Sequence, residues 1–348
     1  MLKEMVFPWK AAPEPGESVE LAPQVMERTE SALKWIRMPL PFALDHINLW
    51  LMRHGAGWCV VDCGYGDDAT RALWEEHFRD AMGGLPVTCI VATHYHPDHL
   101  GNGRWLADRF QAPLAMSYAE FVTAHAIVAE TGPYSKSSAA VFYRSHGVSE
   151  EMLEQLSKRR GSYATGVPTL PTHIERIRPE QVVSLGGHAW KCIGGYGHTP
   201  EHIALYCEAL RVLISGDMLL PKISTNVNVW PIDPHFDAVG AYLDSLDAFA
   251  QLPEDTLVLP SHGLPFRGVR VRVAALHKHH QERMIDLIAA LDTPKTASEI
   301  LSVLFRRPLD MHQTFFAMGE AIAHLNHGVA TGRLARLEHD GIIRHQRV

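Results

Sequence analysis

The chain has 348 residues, 46% of them hydrophobic and 20% charged, with a formal net charge of −7; that length predicts two domains and that composition a globular chain able to bury a large core. Its longest apolar stretches fall far short of the roughly 20 residues of a membrane helix, so no membrane partner is expected. Five cysteines, Cys59, Cys63, Cys89, Cys192 and Cys207, form no CxxC pair, and the segment from Met1 to Trp9 breaks too early for a secretory signal, so reduced thiols in a cytoplasmic protein are expected.

Residues 1–40, rich in Pro and Glu, predict a partly extended lead-in. Strands follow over 47–52 and 58–62 and alternate with helices over 68–82 and 100–110, the pattern of layered α/β packing. A long insert, 118–172, predicts helices over 118–130, 137–146 and 149–160, with Ser149 as N-cap and Glu150 and Glu151 at the positive helix end. Its aromatic residues Phe121, Tyr134, Phe142, Tyr143 and Tyr163 read either as plain packing or as the lining of an apolar lid. The second α/β half resumes near 182, and a polar loop, 221–231, follows Asp217. Beyond 267 the character changes to a helix over 269–291, a Thr296–Glu299 capping box opening a helix to Phe305, a helix over 311–331 and a hairpin over 332–344. The organisation is a lead-in to 40, a main domain over 41–268 and a small domain over 269–348.

The chemistry concentrates in Thr93-His94-Tyr95-His96-Pro97-Asp98-His99, directly after the apolar run 87–92. Imidazole and carboxylate are the natural oxygen and nitrogen donors for zinc, and residues i and i+2 of an extended segment point the same way, so His94 and His96 can grip one ion from a strand end. Pro97 suits the first turn of a helix running to 106, which turns Asp98 and His99 in another direction. Two sets of donors facing two ways predict two ions.

With four later signals the segment resembles the metallo-beta-lactamase superfamily, whose members carry an Asp at a strand end, HxHxDH, then His, Asp and His. Here these are Asp62 in VVDCG, His198 in GHTPEH, Asp217 in ISGD and His262 in PSHG. The resemblance implies a four-layer αββα fold with a helical insert and, by element order, a small C-terminal winged-helix-like domain. It implies that His94, His96 and His198 bind one metal, that Asp98, His99 and His262 bind a second, that Asp217 bridges them, and that Asp62 orders the ligands from behind. Each of Asp62, His198, Asp217 and His262 follows a short apolar run and precedes Gly or Pro within four residues, as converging strand ends would. Taken singly, His198 or His262 reads as a surface or capping residue and Asp62 or Asp217 as a turn former; the ordered constellation favours ligation. His202 reads as a satisfied helix histidine ahead of a partner to the ligands.

Two zinc ions are the expected cofactors, with iron or manganese as alternatives. About 3.5 to 4 Å apart, they would bring a shared water near neutral pKa and polarise the attacked carbonyl or phosphoryl oxygen, with Asp98 and Asp217 holding the nucleophile and one of them moving its proton. The GHTPEH form resembles hydroxyacylglutathione hydrolases, so a small-molecule ester or thioester is the expected partner, a lactone being an alternative. Residues 264–348 hold 12 Lys or Arg against 8 Asp or Glu, and residues 1–263 hold 20 against 31. A tail that mildly basic gives only weak support to a winged-helix ribonuclease, so nucleic acid is not the expected partner. Packing beside the site or forming a homodimer is the expected role of the tail. Flavodiiron relatives carry Glu where this chain has His96, which argues against redox chemistry.

Overall fold

In the computed structural model, which describes residues 5–15, 17–21, 33–158 and 162–348, the short apolar runs become two sheets laid face to face. The first holds, in chain order, β1 (Ser18–Glu20), β2 (Leu33–Pro39), β3 (His46–His54), β4 (Gly57–Val61), β5 (Val87–Val91), β6 (Leu114–Met116) and β7 (Glu175–Arg176). β1 to β4 form an antiparallel meander and β4 to β7 pair in parallel. Parallel neighbours need a crossover, which the helices Asp68–Arg79 and Gly103–Phe110 supply. The second sheet holds β8 (Val182–Leu185), β9 (His188–Gly195), β10 (His202–Cys207), β11 (Val212–Gly216) and β12 (Leu257–Pro260) in the order β12-β11-β10-β9-β8.

Side-chain alternation sorts each strand between layers. Trp50 points inward and meets Trp35, Val61, Trp190, Ile203 and Leu205 between the sheets. Its neighbours Leu49 and Leu51 point outward and pack with Trp74, Phe78, Leu100 and Leu106. On the far face of the second sheet, Ala204, Leu213 and Val258 pack against Tyr242, Leu246, Leu276, Met318 and Ile322. The result is the expected αββα layering. Trp35 and Trp50 are both fully buried and stack with ring centroids 5.8 Å apart, so truncating either to Ala would cost about 3–5 kcal/mol. Asn48 ties the two sheets at the edge that carries the site: its Nδ2 donates to the carbonyls of Pro260 and Gly263, each at 2.8 Å, and its Oδ1 accepts from Trp35 Nε1 at 2.9 Å.

The expected helix from Pro97 to 106 is two pieces, Pro97–Leu100 and Gly103–Phe110. Asn102 breaks it by giving its backbone N–H to the Gly64 carbonyl at 3.2 Å and its Nδ2 to the Tyr65 carbonyl at 2.7 Å. Gly101 permits this turn, since a Cβ there would lie 2.5 Å from both Gly166 O and Gly66 N.

The insert folds as the helices Tyr118–Val128, Lys136–Ser145, Glu150–Lys158 and Ser162–Gly166. The far end of the expected 149–160 helix and residues 1–4, 16 and 22–32 of the lead-in lie outside the described residues. Phe142 and Tyr143, candidates for a pocket lining, are each only 7% exposed and belong to the core cluster on the second sheet's outer face. Tyr143 packs edge-on against Phe315, centroids 5.1 Å apart. These two side chains anchor the insert to the C-terminal helices and line no lid.

Beyond β12 come the helix Val269–Ala290, a one-turn 3-10 helix, the short helix Leu301–Leu304, the helix Met311–Ala330 and the hairpin β13 (Leu334–His339) with β14 (Ile342–Arg347). The capping box is formed, with Glu299 Oε2 accepting from Thr296 N at 2.7 Å and Thr296 Oγ1 accepting from Glu299 N at 3.3 Å. Among the described residues no helix is long and apolar enough to cross a membrane.

Candidate metal centre

Strand ends and the loops after them supply every donor. His94 and His96 follow β5, Asp98 and His99 sit on the one-turn helix Pro97–Leu100, His198 follows β9, Asp217 follows β11, and His262 follows β12. The fold gathers all seven sequence-derived candidates into two adjoining groups, His94, His96, His198 and Asp217 in one and Asp98, His99 and His262 in the other, with the donor atoms of each group within 4.8 Å of one another.

Asp217 faces both groups at once. Its Oδ2 lies 3.5 Å from His198 Nε2 and 4.0 Å from His94 Nε2, while its Oδ1 lies 3.4 Å from both His99 Nε2 and His262 Nε2. Asp98 Oδ2 sits 3.4 Å from His262 Nε2 and 3.5 Å from His99 Nε2, inside the second group. The first group closes through His94 Nε2 and His96 Nδ1, 2.9 Å apart.

Each of four imidazoles is aimed by what its other nitrogen touches. His99 Nδ1 meets Asp62 Oδ2 at 2.8 Å, His94 Nδ1 meets Thr93 Oγ1 at 3.0 Å, and His198 Nδ1 and His262 Nδ1 donate to the carbonyls of Asn226 and His46, both at 2.7 Å. Those contacts leave Nε2 pointing into the centre in every case. Asp62, directly after β4 in left-handed backbone with φ of 62°, also accepts from Thr93 N at 2.8 Å and from Thr93 Oγ1 at 3.0 Å. It thus touches His99, one of the candidate donors, and Thr93, whose hydroxyl meets His94 Nδ1.

The electrostatics fit a cation. Burial, reinforced by His99, His96 and His202, holds His94 well below the ordinary histidine range, and burial with His198 pulls His96 down to about 3. Burial opposes ionisation of Asp98 and Asp217 too, yet the neighbouring His99 and His262 keep both well below the usual carboxylate range. Conversely, His262 is raised to about 10 against its burial because Asp217 and Asp98 face it. The carboxylates thus draw positive charge from whatever lies nearest, and a divalent ion would supply it without protonating a ligand. His99 Nε2, His198 Nε2 and Asp217 Oδ1 are buried with no hydrogen-bond partner, an arrangement expensive for ordinary polar atoms and natural for metal donors.

Further residues surround the donors, and one of them, Glu120, carries no signal in the sequence. His202 opens β10 rather than sitting in a helix; it is fully buried, and its Nε2 accepts the Asp217 N–H at 3.3 Å, so it backs a candidate donor instead of merely filling space. Glu120, also fully buried, accepts from Tyr95 N at 2.9 Å and Glu201 N at 2.7 Å and so fastens the two ligand loops together. Burial pushes it up to about 6. Of the insert's aromatic residues, Tyr163 reaches the centre's surroundings, donating to the Tyr95 carbonyl at 2.7 Å.

The sequence profile of the metallo-beta-lactamase superfamily matches residues 43–262, and that of the metallo-beta-lactamase-like C-terminal domain matches residues 284–348. A beta-lactamase domain protein from Burkholderia ambifaria, solved as a crystal structure, is 41% identical, with a TM-score of 0.90 over 100% of this chain and 99% of its own. A probable metallo-hydrolase from Bacillus subtilis is 26% identical over 84% of this chain and 90% of its own length. A hydroxyacylglutathione hydrolase from Haemophilus ducreyi is 22% identical over 69% of this chain and 76% of its own.

Proposed function

Because the chain belongs to the metallo-beta-lactamase superfamily, we propose that it is a hydrolase that holds two divalent metal ions and cleaves an ester or thioester of a small acyl compound. One observation carries the dinuclear reading: the two oxygens of a single carboxylate, Asp217, turn toward the two separate donor groups. Three imidazoles and one carboxylate oxygen then serve the first ion, and two imidazoles with two carboxylates the second, sets that suit zinc and also admit iron or manganese. Such a pair of ions, when bound, lowers the pKa of water toward neutrality and polarises the carbonyl under attack.

The protein's own part is positioning and proton handling. Asp98, whose Oδ2 lies beside His99 and His262, would take the proton of the attacking water and return it to the departing oxygen or sulfur. Asp217 fixes the spacing between the two donor groups. Asp62 acts through Thr93 and His99, keeping both imidazole direction and loop shape constant while charge moves.

An acyl substrate is favoured by the GHTPEH form of the His198 segment and by the relationship to a hydroxyacylglutathione hydrolase. The surplus of Asp and Glu over Lys and Arg in residues 1–263 disfavours a polyanion. The test is metal analysis of purified protein followed by assay on a panel of thioesters, esters, lactones and single-stranded RNA. Two ions per chain with turnover of a thioester or ester is the expected result; cleavage of RNA alone would overturn the acyl assignment.

A further inference from the structure

The C-terminal helices reach the metal centre through one loop. After Asp217 the chain runs along 220–228, and this stretch grips the first donor group at three points: Thr225 Oγ1 donates to the Asp217 carbonyl, the Asn226 carbonyl accepts His198 Nδ1–H at 2.7 Å, and Asn228 N–H donates to the Gly197 carbonyl at 3.1 Å. Asn228 Nδ2 donates in turn to Asn226 Oδ1, so the loop is braced within itself.

What seats the loop comes from beyond β12. Arg272, 5% exposed on the helix Val269–Ala290, sends Nε to the Leu220 carbonyl at 2.5 Å and Nη2 to the Ile223 carbonyl at 2.7 Å. On the helix Met311–Ala330, Gly319 lies directly against Asn228, where a Cβ would come 2.5 Å from Asn228 Oδ1. The next residue, Glu320, accepts from Asn226 Nδ2 at 3.2 Å through Oε2. Burial raises Glu320 to about 7, although Arg283 and Asn226 oppose the shift. A carboxyl group is an awkward choice for that position if filling space were all it did.

We propose that Glu320 is a positioning residue for the metal centre: by holding Asn226 it fixes the carbonyl that aims His198, and so makes the C-terminal helix part of the apparatus that retains the ion of the His94, His96 and His198 group. This rests on the dinuclear reading above. It assigns the C-terminal region a role inside the same chain, with neither nucleic acid nor a second subunit required. The chain of contacts is short and local, since one side-chain hydrogen bond sets an amide whose own backbone carbonyl touches the ligand. Glu320 itself touches no ion position and takes no part in the reaction.

The experiment measures zinc affinity by chelator competition, together with thermal unfolding of the metal-free protein, for the wild type, Glu320→Ala, Glu320→Gln and Asn226→Ala. Glu320→Ala should release one of the two ions at about tenfold lower chelator concentration, the low end of the range for losing a partner of a metal ligand. Its metal-free unfolding temperature should not fall, since a half-buried carboxyl group with a desolvation cost has been removed. Glu320→Gln keeps an acceptor oxygen for Asn226 and should restore affinity to near the wild-type value. Asn226→Ala keeps the carbonyl but loses its anchor, and should behave like Glu320→Ala even if that variant folds poorly. Wild-type affinity in Glu320→Ala and Asn226→Ala, or a Glu320→Gln as weak as the alanine variant, overturns the proposal while leaving the dinuclear reading intact. A wild type that takes up fewer than two ions even with metal added overturns both.

Discussion

Asp62 and His99 meet through a 2.8 Å hydrogen bond in a place closed to water, where Asp62 is 1% and His99 0% exposed. The contact joins the end of β4 to the one-turn helix after β5, and the same carboxylate holds Thr93 by backbone and hydroxyl. Three segments of the centre therefore share a single anion.

Replacing that anion by its neutral isostere tests how much depends on it. Asp62→Asn tolerates the left-handed backbone and keeps an oxygen for Thr93, but it loses the charged acceptor that orients His99. Metal affinity and turnover should both fall by about 10- to 100-fold. Metal content after dialysis against chelator, with kcat measured alongside, checks this; unchanged values would mean that Asp62 serves only the turn.

The bridging role proposed for Asp217 has a sharper signature. Asp217→Ala should cut turnover by at least about a hundredfold, the scale for losing a positioned electrostatic group, and should lower the bound metal from two ions per chain. Circular dichroism should be unchanged, because Asp217 lies after β11 and outside the strand pairing. Near-normal turnover with two ions retained would refute the bridge.

Phe142→Ala or Tyr143→Ala should lower the unfolding free energy by about 3–5 kcal/mol, the usual cost of truncating a buried aromatic side chain. The KM for acyl substrates should stay close to wild type, since both rings face the C-terminal helices rather than the metal centre. Chemical denaturation and steady-state kinetics on the same variants separate the outcomes. A large KM change with unaltered stability would restore the lid reading.

One contribution to acid sensitivity is expected from His77, which is 2% exposed and held down to about 4 by burial. Above pH 6.5 both folded and unfolded chains carry it neutral, so it exerts no pH dependence there. Between 6.5 and 4 the unfolded chain takes up a proton that the folded chain refuses, and stability declines as pH falls, by at most about 3 kcal/mol from this group. Below 4 both states are protonated and the decline stops. Urea unfolding across this interval should show a shallower pH slope in His77→Gln than in the wild type; identical slopes would exclude His77 as the source.

The candidate ligands were readable because each is a chemically distinctive side chain just past a short apolar run, and strand ends on one edge of a sandwich have to converge. Apart from Asp62, their supports were not. The Asn226 and His46 carbonyls that aim His198 and His262 are backbone atoms, which every residue possesses, so no side-chain pattern reveals them. Glu120 sits in a helix whose N-terminal turn would accept any acidic residue, and only the fold brings it to Tyr95 and Glu201. The break near Asn102 depends on Gly64 and Tyr65, far away in the chain. Phe142 and Tyr143 show that an apolar helix face announces burial without naming what covers it.

The donors divide unevenly along the chain: His94, His96, Asp98 and His99 come from the first sheet's edge, and His198, Asp217 and His262 from the second. A ribosome therefore releases the first four long before the others exist, and the emerging half-molecule can offer neither Asp217 nor the last imidazole of either group, His198 in one and His262 in the other. On the dinuclear proposal, metal capture would belong to the end of biosynthesis, after His262 has emerged and the two sheets have closed, and a loaded centre would itself record that the whole sandwich was built.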